Sequence, residues 1–339
     1  MSITSADASA ETSRPFIGPT PATWRRTGVP GASAASRVKT IPPAPNMEKT
    51  SYTAHLSMPT LRAQGAVPRD AGPTLHEVSV VPDSPRAVVG ILHGYADHAV
   101  RYAHVMDAWA DLGIASIALD MRGHGHADGP RGYCGRFEEY LSDAAALASL
   151  VAERVPEAPG FLYGHSFGGL VAAHSILESA RAWKGVLLSG PYFGRGFHIP
   201  APKRIAAQVA SRLVPRLSLP AGIRGEHVSH DPVMAHRYDT DPLVFKNGNV
   251  RWFTESGRAQ AEALARAGSF KLPLYVVYGA EDPLSRVASG KAFFDAAGSA
   301  DKTFDERVGL RHEVVNEIEW KAVVATMAEW ILRHAGASR

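Results

Sequence analysis

From Thr74 onward, short apolar runs alternate with longer stretches in which apolar residues recur at helical spacing. The runs are Ala87–Leu92, Ile114–Leu119, Phe161–Tyr163, Val186–Leu188 and Leu274–Tyr278. Between them, Tyr102–Leu112, Phe137–Glu153 and Leu170–Ala180 carry the helical spacing. A continuous apolar strand is one buried on both faces, and strand–helix alternation requires crossover connections. Together they predict an α/β fold, a parallel sheet covered by helices. Thr74–Val81 predicts an added edge strand and Thr303–Arg307 the last strand. The core is therefore expected over residues 73–190 and 268–339.

Two regions break this pattern. Residues 1–72 are rich in Ala, Ser, Thr and Pro, with clusters such as Pro42-Pro43-Ala44-Pro45. Large apolar side chains there are too sparse to offset the entropy of ordering a backbone, so a mostly disordered tail is expected. Its basic residues Arg14, Arg25, Arg26, Arg37 and Lys39 read as solvated, and Met47 offers a second possible translation start. Residues 191–267 lack a clear buried strand and predict a helical cap inserted between two strands. Such an insertion belongs over the C-terminal edge of the sheet, where open α/β sheets bind ligands. Within it, Ile205, Val209 and Leu213 share one face of a helix over Pro202–Leu213, with Lys203, Arg204, Arg212 and Arg216 nearby. That stripe is the candidate substrate-binding face, lining an acyl tunnel or lying on lipid, with simple packing on the protein as the alternative.

Composition narrows the function classes. A chain of 339 residues with 45% hydrophobic and 20% charged residues has the make-up of an ordinary globular protein. A formal charge of +3 gives no reason to expect nucleic acid as a partner. The one cysteine, Cys134, excludes an intrachain disulfide and fits a reducing compartment. With no apolar run near the roughly 18 residues of a membrane span, and no apolar block behind a charged start, a cytoplasmic location is expected.

The chemistry is carried first by Gly164-His165-Ser166-Phe167-Gly168, a G-x-S-x-G segment between a strand and a helix. A serine on so sharp a turn is strained, and side chains two residues to either side would clash, so glycines stand there. Ser166 is the candidate nucleophile. A serine hydroxyl needs a base, and the base needs an orienting acid. Asp282 lies just past the strand Leu274–Tyr278, with Glu281 as the rival acid, and His312 follows the last strand. The order Ser166, Asp282, His312 is the one this elbow uses. The oxyanion donors should be the backbone N–H of Phe167, at a helix N-terminus, and that of Tyr95 in His93-Gly94-Tyr95. His93 itself reads as structural.

These segments resemble the monoacylglycerol lipase and lysophospholipase branch of the α/β-hydrolases. The likeness is carried by His93-Gly94-Tyr95-Ala96-Asp97-His98-Ala99-Val100-Arg101-Tyr102, with Asp97 in place of the branch's usual Glu. Asp120-Met121-Arg122-Gly123-His124-Gly125, Asp128-Gly129-Pro130-Arg131-Gly132 and the elbow, with Phe167 for the usual Met, also carry it. Asp241-Pro242-Leu243-Val244 resembles the end of the branch's cap. The resemblance implies an eight-stranded, mostly parallel sheet with a small cap. It implies hydrolysis of a single-chain lipid ester without metal or organic cofactor; transient membrane-surface contact through the cap is expected from the stripe on its helix.

Rival readings use the same residues differently. His124-Gly125-His126-Ala127-Asp128 fits the start of a dinuclear metal motif, but Gly129 stands where that motif needs another histidine. An aspartate nucleophile, as in epoxide or halide chemistry, is excluded by Ser166 at the elbow. Carboxylesterase, aminopeptidase, thioesterase and acyltransferase reactions share the same triad, and an idle binding module is disfavoured by its completeness.

Overall fold

A computed structural model describes residues 60–180 and 183–336. Met47, the basic residues of the tail and the rest of positions 1–59 lie outside the described residues. In chain order the elements are strands β1 (Thr60–Val67), β2 (Leu75–Pro82) and β3 (Ala87–Leu92), helix α1 (Ala103–Ala110), β4 (Ile114–Asp120), α2 (Glu138–Arg154), β5 (Gly160–His165), α3 (Phe167–Glu178) and β6 (Gly185–Ser189). Then come α4 (Ala201–Leu213), β7 (Ser218–Pro220), α5 (Gly225–Val228), α6 (Pro232–Thr240), β8 (Asn247–Asn249) and α7 (Val250–Arg266). The chain closes with β9 (Leu274–Gly279), α8 (Val287–Ala296), β10 (Lys302–Arg307) and α9 (Trp320–Ala335).

The main sheet has eight strands in the order β1-β2-β4-β3-β5-β6-β9-β10. β2 runs antiparallel to both β1 and β4, and all other pairs are parallel. This is the predicted α/β-hydrolase sheet. Alternation along β3 shows why it needs two covers. Val88 and Leu92 pack into a core with Leu147 of α2 and Leu170 of α3, while Val89 and Ile91 pack into a second core with Trp109 of α1 and Met327 of α9.

Two expectations are corrected. The tail predicted over 1–72 ends too late, because Thr60–Val67 pairs along its length with β2. That makes β1 the edge and β2 an interior strand. β1 escapes a hydrophobicity reading because Arg62, Ala63 and Gln64 are exposed and its stabilisation comes from backbone pairing. The stretch between β6 and β9 also holds a small antiparallel pair, β7 with β8, beside its helices. Capping is explicit at α7, where the Asn249 side chain accepts from Arg251 N at 2.9 Å and Trp252 N at 3.1 Å. Among the described residues no helix is long and apolar enough to cross a membrane.

Candidate active site

Ser166 stands between β5 and the first turn of α3 with φ 51° and ψ −117°. The flanking glycines are required by contact. A Cβ on Gly164 would lie 2.5 Å from Gly168 O, and one on Gly168 would lie 2.2 Å from Leu92 O. Among the described residues the only other non-glycine with positive φ is Ala96, at 65°. Both strained residues line the same cavity, so the strain is concentrated at one place.

The C-terminal ends of β9 and β10 bring the remaining candidates there. His312 Nδ1 is 2.7 Å from Asp282 Oδ2, and the other carboxylate oxygen accepts from Leu284 N at 2.8 Å and Ser285 N at 2.9 Å. Asp282 is thereby fixed in one orientation against the imidazole. Glu281 points away and pairs with His230 Nε2 at 3.4 Å. Burial pushes the His312 pKa down, but the Asp282 carboxylate outweighs it and holds the imidazolium above its ordinary range. Its neighbour His165, ring centroid 4.7 Å away, is pushed down to about 4 by burial and by His312. Ser166 and His312 line one cavity, and His312 is hydrogen-bonded to Asp282 rather than to Ser166 in this structure. Such contacts commonly tighten only when substrate is bound.

Phe167 is the first residue of α3, so its N–H has no intrahelical acceptor. Tyr95 sits in the loop after β3. Its hydroxyl donates to Gly132 O at 3.0 Å and accepts from Asn249 N at 3.0 Å, and its ring stacks on Trp252 at 3.6 Å. His93 is structural: its Nε2 accepts from Met121 N at 2.9 Å, which leaves Nδ1 to donate to Gly94 O at 2.7 Å. His124 is pushed down to about 3 by burial and contacts Arg122 O through Nδ1. Among the described residues no group of three or more His, Cys, Asp or Glu is placed to hold a metal.

Beneath the Tyr95 loop lies a buried ion network that sequence reasoning missed. Arg101 donates to Asp97 Oδ1 at 2.9 Å and to both oxygens of Glu313 at 2.9 and 2.6 Å. Burial alone would raise both carboxyl pKa values; Arg101 more than offsets this and holds both below the usual carboxylate range. Asp97 also accepts from Tyr102 Oη at 2.8 Å and from Gly94 N at 3.4 Å. One arginine thus ties the Tyr95 loop to the residue after His312. Asp241, singled out in the sequence, is 2.9 Å from His98 Nε2 and ties the β6–β9 stretch to the same loop. The signal was Asp97, His98 and Arg101 within one segment, but their partners are remote in sequence.

The cavity has a volume of about 710 Å³ and mostly apolar walls. Tyr192, Phe245 and Trp252 line it, with Lys203, Ala206, Ala207 and Ala210 of α4. This corrects the cap prediction. Ile205, Val209 and Leu213 do not line the cavity and are 60%, 48% and 75% exposed. The inward face of α4 is its alanine face, where small side chains leave open the volume that larger ones would fill.

A protein-family model described as serine aminopeptidase, S33, matches residues 83–319. The chain belongs to this family. This S33-family protein is a serine hydrolase, and its relatives bear out the monoacylglycerol lipase and lysophospholipase branch. It is 32% identical over 258 residues to a monoacylglycerol lipase of Mycolicibacterium smegmatis, covering 75% of this chain and 91% of that one. It is 28% identical over 239 residues to a phospholipase of Bacillus subtilis, covering 70% and 92%. The crystal structure of Paleococcus ferrophilus monoacylglycerol lipase superposes with a TM-score of 0.69 at 25% identity, covering 82% of this chain and all (100%) of that one. A soluble variant of monoglyceride lipase from Saccharomyces cerevisiae, solved with a substrate analogue, shares the fold at a TM-score of 0.73 and 18% identity, covering 84% and 99%.

Proposed function

We propose that this serine hydrolase cleaves the ester of a single-chain glycerolipid, a monoacylglycerol or lysophospholipid, with Ser166 as nucleophile, His312 as general base and Asp282 as its orienting acid. The observation that carries the reading is the apolar cavity of about 710 Å³ onto which Ser166 and His312 open. Each acyl CH₂ buried there contributes roughly 0.8 kcal/mol, so a chain-bearing ester gains binding that an acetyl ester does not.

His312 takes the Ser166 proton as Oγ attacks the ester carbonyl. The N–H groups of Tyr95 and Phe167 stabilise the resulting oxyanion. His312 returns the proton to the leaving glycerol oxygen, and water then hydrolyses the acyl-serine by the same steps. Asp282 holds the Nδ1–H tautomer and stabilises the imidazolium. An aminopeptidase would need a free carboxylate for the substrate amine. The two that line this cavity, Asp97 and Glu313, are both held by Arg101, which favours the ester reading.

The exposed row Ile205, Val209 and Leu213 supports transient contact with a membrane surface. The lone, buried Cys134 supports a cytoplasmic location. The test is a hydrolysis panel of monoacylglycerols of rising chain length, lysophospholipids and acetyl esters, with Ser166→Ala as control. We expect kcat/KM to climb with chain length and to fall by on the order of 10⁴–10⁶ in the variant. An optimum at acetyl, or a variant with more than about a tenth of wild-type activity, refutes the assignment.

A further inference from the structure

A second cleft, of about 370 Å³, opens between α4 and α7 and shares only Phe253 with the active-site cavity. It is lined by Arg195, Arg204, Gln208, Gly257 and Arg258. Arg258 is shared among Glu138, Glu255 and Glu262, so its charge is already matched. Arg195 and Arg204 have no carboxylate partner among the described residues, which leaves the cleft with two unmatched positive charges. The Arg195 guanidinium carbon lies over the Phe253 ring, 4.1 Å from its centroid. Its Nη2 donates to Phe253 O at 3.4 Å, and its buried Nε has no hydrogen-bond partner. Gly257 keeps the floor open: a Cβ there would stand 3.2 Å from Arg195 Nη2. A glycine inside a helix is otherwise unfavourable. A guanidinium held over a ring and without a carboxylate partner is suited to the oxygens of a phosphate.

The neighbouring face of α4 indicates the source of that phosphate. Arg204 and Gln208 each precede a member of the exposed row Ile205 and Val209, so a polar row carrying the Arg204 charge runs beside the apolar row, about 100° away round the helix. A free phosphate has no use for the apolar row, whereas a phospholipid at a bilayer surface presents headgroup and chains together.

We propose that this cleft is a binding site for the phosphate of an anionic phospholipid headgroup, docking the enzyme on a charged membrane surface. The proposal rests on the membrane-contact reading above. The test uses the full chain and sedimentation with phosphatidylcholine vesicles, alone or with a one-third share of phosphatidylglycerol. Arg195→Gln, Arg204→Gln, their double variant and Arg212→Gln, on α4 outside the cleft, are compared. Any arginine near an anionic surface supplies about a fivefold gain in partitioning, which is the loss expected for Arg212→Gln; Arg204→Gln should lose more, and the double variant should bind phosphatidylglycerol vesicles more than about 25-fold more weakly. Its binding to pure phosphatidylcholine and its hydrolysis of dispersed monoacylglycerol should be unchanged. Inorganic phosphate at matched ionic strength should compete for the wild type. An Arg212→Gln loss equal to that of Arg204→Gln, an equal loss on neutral vesicles, or no competition by phosphate overturns the site. Should inorganic phosphate bind at the cleft while vesicles do not, the lipid source is overturned. Wild-type failure on every lipid ester in the panel would instead overturn the substrate reading and leave the vesicle result to stand by itself.

Discussion

Replacing Arg101 with Met keeps most of the side-chain volume and removes the charge that two buried carboxylates share. The side chains of Arg101, Asp97 and Glu313 are 9%, 5% and 5% exposed, so water cannot replace the guanidinium. Some donors remain: Tyr102 Oη and His98 N on Asp97, each at 2.8 Å, and Asn316 Nδ2 on Glu313 at 2.7 Å. Leaving a buried charge without its partner costs about 3–5 kcal/mol, and these donors place the expectation at the lower end. The pH dependence has a definite sign. In the wild type both carboxyl pKa values are depressed, so their contribution is present above the unfolded value near 4 and is lost as pH falls through the folded one. In Arg101→Met, the remaining donors oppose burial only in part and the folded values rise above the unfolded one, so the variant's deficit shrinks as pH falls. Urea unfolding at neutral and mildly acidic pH, followed by circular dichroism, reads both effects. A penalty under about 1 kcal/mol at neutral pH, the size of a surface ion pair, or a penalty unchanged on acidification, would refute this account. The turnover number should also fall, because Asp97 accepts from Gly94 beside the proposed oxyanion donor.

Four further outcomes follow from the same geometry. Asp282→Asn should lower kcat by about 10⁴ through the wrong imidazole tautomer, while Glu281→Gln, whose carboxylate faces His230, should change it little; the reverse order would move the acid by one residue. Activity should be lost as pH falls through a midpoint above the ordinary imidazole value, because neutral His312 is the base and Asp282 favours its charged form; a kcat/KM profile with its midpoint below 6.5 contradicts this. Tyr95→Phe removes an acceptor from Asn249 N and a donor from Gly132 O, so it should lose about 1–3 kcal/mol of stability and lower kcat more than it raises KM. Val209→Asp should leave the chain-length profile unchanged because Val209 faces solvent, whereas Ala207→Phe, which fills the cavity, should flatten it; an ester series for both variants decides.

By itself the sequence determined the α/β class and the placement of Ser166, Asp282 and His312 at one edge of the sheet. Those features are local: a buried strand announces itself by continuous apolar residues, and a residue just past its C-terminal end lies at one edge of the sheet whatever else the chain does. The preference for Asp282 over Glu281 rests on its place just past the strand and on the family resemblance; adjacent loop residues point in different directions, and the backbone decides which meets His312. β1 was invisible because edge pairing is made by main-chain groups and leaves little pattern in the side chains. The face that α4 turns inward was also undetermined. Periodicity identifies stripes on a helix, but the packing against α7, where Ser211 Oγ meets Thr254 Oγ1 at 2.7 Å, sets its rotation. The Arg101 network lay furthest from view, because Arg101 and Glu313 are 212 positions apart and their pairing exists only once the Tyr95 loop and the His312 loop are folded against each other.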